Sequence, residues 1–142
     1  MVFLGSITIL TTKYNQFVLI TDEIEKVVKE SGIKNGIVNV ISKHTTTGIT
    51  VNESLECLES DMEEFLGRIV PEDLPYAHAR MLRDYGSTAG NPTGHLQAHI
   101  TGNHCHFVMN EGELVKGGAQ DVYFCEFDGP AKRTILIQVI GE

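Results

Sequence analysis

The chain is short of basic residues and contains no tryptophan. Its 142 residues include 11 Lys and Arg against 19 Asp and Glu, which gives a formal net charge of -8. Because nucleic-acid binding depends on clustered cations that neutralise phosphates, this balance argues against a nucleic acid as partner. No apolar run approaches the roughly 18 residues of a membrane helix, and the first residues lack the basic segment of a secretion signal. We therefore expect a soluble chain with no membrane partner.

Cysteine is scarce as well. Cys57, Cys105 and Cys125 are odd in number, far apart and without a Cys-x-x-Cys spacing. This pattern predicts reduced, largely buried thiols in a cytoplasmic protein rather than a disulfide framework. The sequence also lacks repeats, linkers and low-complexity segments, so we expect residues 1–142 to form a single domain.

Runs of apolar and β-branched residues predict a set of short strands. They cover residues 2–12, 17–20, 36–42, 49–52, 104–109, 113–115, 121–128 and 133–140. Turn-forming residues between neighbouring runs favour hairpins. We expect the first pair around residues 14–15, a second between 36–42 and 49–52, a third at the turn Asn110-Glu111-Gly112, and a last one joined at Gly129-Pro130.

Apolar residues at helical spacing predict two main helices. The first begins at a Thr21 or Asp22 cap and ends at Gly32, and the second carries its apolar stripe over residues 55–69 and stops at Pro71. A short third helix is expected between Asn91-Pro92 and Gly102. The expected fold is α+β, with a largely antiparallel sheet that curls towards a barrel or sandwich.

His95 and His99 lie four residues apart on the predicted third helix, so their imidazoles share one face. The pair is either a set of neighbouring metal ligands or two partly exposed surface histidines. A zinc protease would need Glu directly after the first His, but Leu96 stands there. We therefore do not expect protease chemistry.

A second candidate site is the segment His44-Thr45-Thr46-Thr47-Gly48 at a strand end. Hydroxyls and exposed backbone amides there would suit a phosphate or a metal-bound oxyanion, although consecutive threonines are also typical of a sheet edge. Glu53 is interpreted as a ligand, a proton carrier or an acid at the start of the second helix.

For the other polar residues, the sequence gives less evidence of a functional role. Glu126 stands out inside an apolar strand, and His104 and His106 share a strand face that is adequately explained as solvated. Residues 72–94 are interpreted as a long, functional or poorly ordered loop. This loop carries His78, Arg80 and Arg83.

Three motifs together resemble the YjbQ-like family, also called the secondary thiamine-phosphate synthase family. They are the segment from His44 to Glu53, Gly94-His95-Leu96-Gln97-Ala98, and Cys125-Glu126-Phe127-Asp128-Gly129-Pro130 with the Gly141-Glu142 ending. The resemblance implies a compact α+β homotrimer and a polar cluster around a divalent metal. It also implies a weak ability to join a pyrimidine-methyl pyrophosphate to a thiazole phosphate with release of pyrophosphate.

By this resemblance His44 and His95 are the most characteristic site residues, with Glu53 and Asn91 as polar companions. We predict catalytic roles for His44, Glu53 and Arg80, contacts to a phosphorylated small molecule from Thr45, Thr46, Thr47 and Asn91, and metal binding by His44, His95 and His99. Lys43, Arg83 and Lys116 are further cations that would neutralise phosphate. The chain departs from the family at residues 117–121, where relatives often carry a tryptophan.

The residue types leave the metal and the reaction open. Mg²⁺ prefers carboxylates and phosphate oxygens as ligands, and Glu53 is the one carboxylate among the candidate site residues. Histidines suit Zn²⁺ better. A zinc site would favour another reaction, phosphoester hydrolysis. A non-catalytic trimer that holds a metal or an anion is the alternative from a different functional class.

Overall fold

The computed structural model describes residues 1–80 and 90–142, with Arg80 described as backbone only. Eight strands and four helices lie within these ranges. In chain order they are β1 (Val2–Leu10), β2 (Gln16–Leu19), α1 (Thr21–Ser31), β3 (Gly36–Ser42), β4 (Thr47–Asn52), α2 (Glu56–Ile69), α3 (Ala77–Arg80), α4 (Pro92–Thr101), β5 (His104–Asn110), β6 (Glu113–Leu114), β7 (Asp121–Glu126) and β8 (Lys132–Gly141).

The strands form two sheets in a curled, half-barrel arrangement. The larger sheet has the order β1-β8-β3-β5-β6, and the smaller sheet has the order β2-β7-β4. Neighbouring strands in both sheets run antiparallel. The predicted α+β class and the largely antiparallel sheet are therefore confirmed.

The predicted hairpin at residues 110–112 is confirmed, because β5 pairs with β6. The other three predicted hairpins are wrong, because in each case the chain changes sheet between the two strands. β1 pairs with β8 while β2 pairs with β7, and β3 and β4 separate in the same way. β7 and β8 also lie in different sheets, on either side of the cis Gly129-Pro130 bond. Turn residues reveal where a strand ends, but burial of both sheets against one core decides its partner.

One core lies between the two sheets and α1. Val38, Phe124 and Ile137 contribute to it from β3, β7 and β8, and Ile24 contributes from α1. A smaller cluster on the other face of β7 contains Tyr123, Cys125 and Phe127, packed with Leu66 of α2 and Ala98 of α4. β7 is thus buried on both faces, and α2 and α4 lie on the outer side of the smaller sheet.

The structure confirms the two main helices and the short histidine helix. α1 ends at Gly32 in the left-handed conformation, as predicted. The predicted side-chain cap of α1 is wrong, because the Thr21 hydroxyl bonds instead to the Asp121 carboxylate and the Val122 amide of β7. The predicted loop contains the four-residue helix α3. In the described ranges, no helix has the length and apolar character needed to cross a bilayer.

The apolar stripe of α2 is less buried than its spacing predicts. Leu66 is its one buried residue, whereas Phe65 and Ile69 are exposed. Among the cysteines, Cys125 is buried and Cys105 is half-buried, and burial raises the pKa of the Cys105 thiol to about 11. Cys57, however, is exposed, so the prediction of buried thiols is wrong for this residue.

Candidate functional site

Helix α4 lies close to β4 and to the end of β7 because two glycines leave room for it. A Cβ on Gly48 would come within 2.5 Å of the Thr101 side chain, and one on Gly94 would lie 2.9 Å from the Phe127 carbonyl oxygen. Pro92 occupies the first turn of α4, where its missing N–H costs no hydrogen bond. This packing fixes the histidines of α4 beside the start of β4.

A cavity of about 320 Å³ opens between α4 and the segment that precedes β4. Five of the residues predicted as site residues line it: His44, Thr45, Thr47, His95 and His99. Among the residues that the structure describes, Ala98, Gly102 and Asn103 are the other members of the lining, and none of these lining residues is a carboxylate. The structure therefore brings the strand-end histidine and the helix histidines to one place, which we call the histidine cavity.

His44 is half-buried and held by the main chain of β8. Its Nε2 accepts a hydrogen bond of 2.9 Å from the backbone N–H of Thr134. Burial, reinforced by the positive charge of Arg133, lowers the pKa of His44 below its usual value, with Glu126 acting in the opposite direction. His44 is therefore biased towards the neutral imidazole.

A buried ion pair lies behind His44. Arg133 donates to both carboxylate oxygens of Glu126, at 2.7 and 2.6 Å, and also to the Thr46 hydroxyl at 3.1 Å. Glu126 further accepts from the Thr11 hydroxyl and the Asp128 amide. Burial opposes ionisation of Glu126, but these donors outweigh it and lower the pKa of the carboxyl group.

Sequence reasoning missed Arg133 and left Glu126 unexplained. A lone acid in an apolar strand is a signal that a buried cation lies nearby. The cation itself stands in the next strand of the chain, but in the other sheet. Only the three-dimensional pairing identifies it.

The polar companion Asn91 connects two other residues beside the histidine cavity. Its Oδ1 lies 2.8 Å from His78 Nε2, and its Nδ2 donates to the Asp128 carboxylate at 2.8 Å. The rings of His78 and His95 meet edge to face at 5.1 Å. Sequence reasoning left the role of His78 open, and the geometry makes it a neighbour of the site.

A second cavity of about 430 Å³ lies on the other side of His95. Its lining consists of Tyr76, Ala77, His78, Pro92, His95 and Leu96. His95 therefore borders both cavities.

Several predicted site residues lie elsewhere. Glu53 is exposed beyond the far end of β4, roughly 20 Å from Thr47 at the usual strand rise. Lys43 is exposed, and Lys116 bonds to the Gln120 carbonyl beside another cavity. The side chain of Arg80 and the whole of Arg83 lie outside the described residues.

The three threonines have different environments. Thr45 is exposed in the cavity lining. The Thr46 hydroxyl contacts Arg133, and the buried Thr47 hydroxyl bonds to Ser42 at 2.6 Å. Because the Thr46 hydroxyl accepts from Arg133, it keeps its own proton for a phosphate oxygen, whereas the Thr47 hydroxyl already shares a hydrogen bond with Ser42.

The described residues do not fit a metal site within one chain. In residues 1–80 and 90–142, no group of three or more His, Cys, Asp or Glu side chains is arranged to hold a metal ion. His104 and His106 lie on the exposed face of β5, away from the cavity lining. His44 has its Nε2 occupied by the Thr134 amide.

The family model described as UPF0047 protein YjbQ-like matches residues 5–142. The chain belongs to the YjbQ-like family. It is 35% identical to UPF0047 protein YugU of Bacillus subtilis (strain 168), over 97% of this chain and 99% of that protein. It is also 33% identical to a UPF0047 protein of Methanothermobacter thermautotrophicus, over 99% of this chain and 94% of the relative.

Solved structures of YjbQ-like proteins have the same fold. A crystal structure of a YbjQ-like protein of unknown function from Sulfolobus solfataricus P2 superposes with a TM-score of 0.90 at 31% identity, covering 100% of this chain and 99% of that one. An uncharacterised family member from Clostridium acetobutylicum gives a TM-score of 0.86 at 31% identity, over 96% and 99% of the two chains. The resemblance inferred from the three motifs is thereby confirmed.

Proposed function

We propose that the histidine cavity binds the phosphate or pyrophosphate group of a small molecule. The observation that carries this proposal is a cavity whose described lining has three histidines and no carboxylate, in a chain with a net charge of -8. An acidic protein repels anions in general, so a local surface without acids is the part that admits them. Imidazole N–H groups and the Thr45 hydroxyl are suitable donors to phosphate oxygens.

We further propose that the chain catalyses thiamine-phosphate formation at a low rate. In this reaction the bond between the pyrimidine methylene carbon and a pyrophosphate oxygen breaks, and pyrophosphate departs with the electron pair. The thiazole nitrogen then supplies the electron pair for the new carbon–nitrogen bond. Donors that face the leaving group stabilise its growing negative charge, and His95 and His99 are the candidates on α4.

The second cavity supports a substrate that combines a phosphate with a flat ring. His95 lies between the two cavities, so a molecule seated there would direct its phosphate to the histidine cavity and its ring towards Tyr76 and Leu96. Pockets for small molecules commonly combine apolar walls with a few polar groups that fix orientation. Both substrates of the proposed reaction have this form.

An anion-binding module without catalysis is the second candidate. It is favoured by the position of Glu53, the predicted proton carrier, beyond the far end of β4. The trimer implied by the family resemblance is compatible with both the enzyme and the anion-binding module. It is supported by the exposed apolar residues on the larger sheet, which a partner subunit would cover.

The test compares wild-type protein with His95→Ala and with Lys26→Ala as a control on the exposed side of α1. Calorimetry with inorganic pyrophosphate measures binding, and chromatography of reactions with both substrates and Mg²⁺ measures thiamine phosphate. We expect His95→Ala to lower pyrophosphate affinity about tenfold or more, as for the loss of a hydrogen bond to a charged group. Lys26→Ala should match the wild type.

Each outcome separates the candidates. Binding with product formation supports the enzyme, and binding without product supports the anion-binding module. Wild-type protein that neither binds pyrophosphate nor forms product would contradict both. Metal analysis by mass spectrometry on untagged protein tests the metal-binding and phosphoester-hydrolase alternatives, which require stoichiometric metal that His95→Ala loses.

A further inference from the structure

One ring nitrogen of His44 is committed to the protein backbone. The Thr134 N–H points to Nε2 at 2.9 Å, and a backbone amide is always a donor in such a contact. Nε2 must therefore present its lone pair. In a neutral imidazole with one accepting nitrogen, the other nitrogen carries the proton. The proton of His44 is accordingly on Nδ1.

The surroundings of His44 favour this neutral form over the imidazolium. The ring is half-buried, and the guanidinium of Arg133 lies on the strand that supplies the Thr134 amide. Burial and the Arg133 charge together lower the pKa of His44. Glu126 opposes this effect, but its charge is already paired with Arg133.

We propose that His44 donates a hydrogen bond through Nδ1–H to an anionic oxygen in the histidine cavity and does not coordinate a metal. A metal on Nδ1 would move the ring proton to Nε2, where it would face the proton of the Thr134 amide. A metal on Nε2 would displace that amide from a half-buried site. An unpaired buried amide is costly, so both arrangements are disfavoured by the same backbone contact.

This assignment departs from the metal-ligand role that resemblance gives His44. The identity of the anion is taken from the proposed function, in which the cavity binds phosphate oxygens. The described lining agrees with a donor role, since it contains histidine, threonine and asparagine side chains and no carboxylate. His44 would thus help to select the ligand, because its Nδ1–H group can bond only to ligand atoms that carry a lone pair.

The tautomer is measured first, without any ligand. Two-dimensional NMR of protein labelled with ¹⁵N-histidine distinguishes protonated from unprotonated ring nitrogens, and the His44→Gln spectrum assigns the signal. We expect a protonated Nδ1 and an unprotonated Nε2 near pH 7.5, unchanged when zinc chloride is added. A protonated Nε2, or an Nδ1 signal that shifts to a metal-bound position with zinc, would overturn the proposal.

Two amide substitutions then test the donor role. The His44→Asn amide reaches about as far as Nδ1, whereas His44→Gln reaches about as far as Nε2 and keeps an acceptor for the Thr134 amide. We expect His44→Gln to lower pyrophosphate affinity about tenfold or more, and His44→Asn to stay within a few-fold of wild type. Lys26→Gln, on the exposed side of α1, is the control and should have no effect.

Equal losses of affinity in both variants would overturn the donor role, since a metal ligand or a merely structural histidine predicts that result. Thermal melts identify any variant that fails to fold, and the NMR measurement on wild-type protein does not depend on the variants. Failure of wild-type protein to bind pyrophosphate would overturn the proposed function together with the donor role. The ring tautomer would still be read from the ligand-free spectrum.

Discussion

At the scale of single residues, the carboxylate of Glu126 is buried with donors on both oxygens. Arg133 contacts both, Thr11 adds a hydroxyl and Asp128 adds a backbone amide. A buried charge that loses its partner keeps its desolvation cost without the compensating attraction. The pair is therefore far more sensitive to single substitutions than to replacement of both residues.

We predict that Arg133→Met lowers the free energy of unfolding by about 3–5 kcal/mol, the usual cost of breaking a buried ion pair. The matched control is Arg68→Met, which removes the exposed partner of Glu64 on α2 and should cost no more than about 0.5 kcal/mol. Urea denaturation followed by circular dichroism measures both. Equal effects of the two substitutions would show that burial does not determine the energy of the Glu126 pair.

Some of the site residues could be predicted from the sequence, and others could not. His44 and His95 could be selected because their motifs are distinctive, and both line the histidine cavity. Glu126 could be recognised as exceptional, but Arg133 could not be chosen as its partner from spacing alone. Glu53 looked equally suitable in the sequence, yet the straight course of β4 carries it away from the cavity.

At the scale of elements, the position of α4 depends on backbone contacts that only glycine allows. Gly94 lies in the first part of α4, against the Phe127 carbonyl and the Thr46 side chain. A backbone oxygen cannot rotate away as a side chain can, so an added methyl group has to move the helix. Because His95 is the next residue, this movement would also change the histidine cavity.

We predict that Gly94→Ala lowers stability by about 1–3 kcal/mol, as is typical of overpacking, and also weakens pyrophosphate binding. Gly67→Ala is the matched control, because a Cβ at Gly67 of α2 meets open space. That substitution should raise stability by about 0.5–1 kcal/mol through helix propensity. Thermal melts and calorimetry report the two effects. Unchanged stability and binding in Gly94→Ala would show that α4 can shift without cost.

Element identity was far easier to predict than element pairing. The two main helices, the histidine helix and the strands follow from local periodicity and from residues such as Gly32 and Pro71, which act within a few positions. Strand partners depend on which faces are buried together. Four pairs of strands look like hairpins in the sequence. β5 and β6 do pair across their tight turn, but the other three pairs are divided between the two sheets because both sheets cover one core.

At the scale of the whole molecule, one face of the larger sheet carries exposed apolar side chains in the part of the chain that the structure describes. An apolar row crosses four of its strands: Val2 is paired with Ile140, Ile140 with Ile37, and Ile37 with Val108. These four side chains are between 41% and 63% exposed. Contiguous apolar rows of this kind mark contact surfaces, which supports the proposed trimer.

We predict that wild-type protein has about three times the 15.7 kDa mass of one chain in size-exclusion chromatography with light scattering. Val108→Glu should shift this mass towards that of a single chain, because a carboxylate buried at a subunit contact loses hydration without gaining a partner. Lys26→Glu, on the exposed side of α1, is the control and should leave the mass unchanged.

The outcome decides which apolar surface forms the contact. A monomeric wild type would contradict the trimer, and the exposed row would then need another explanation. If the Val108→Glu variant is still a trimer, the subunit contact is expected instead at the exposed residues of α2, such as Phe65 and Ile69. Dissociation by Val108→Glu with unchanged pyrophosphate binding would mean that each histidine cavity is complete within one chain. Loss of both would mean that a neighbouring subunit contributes to the site.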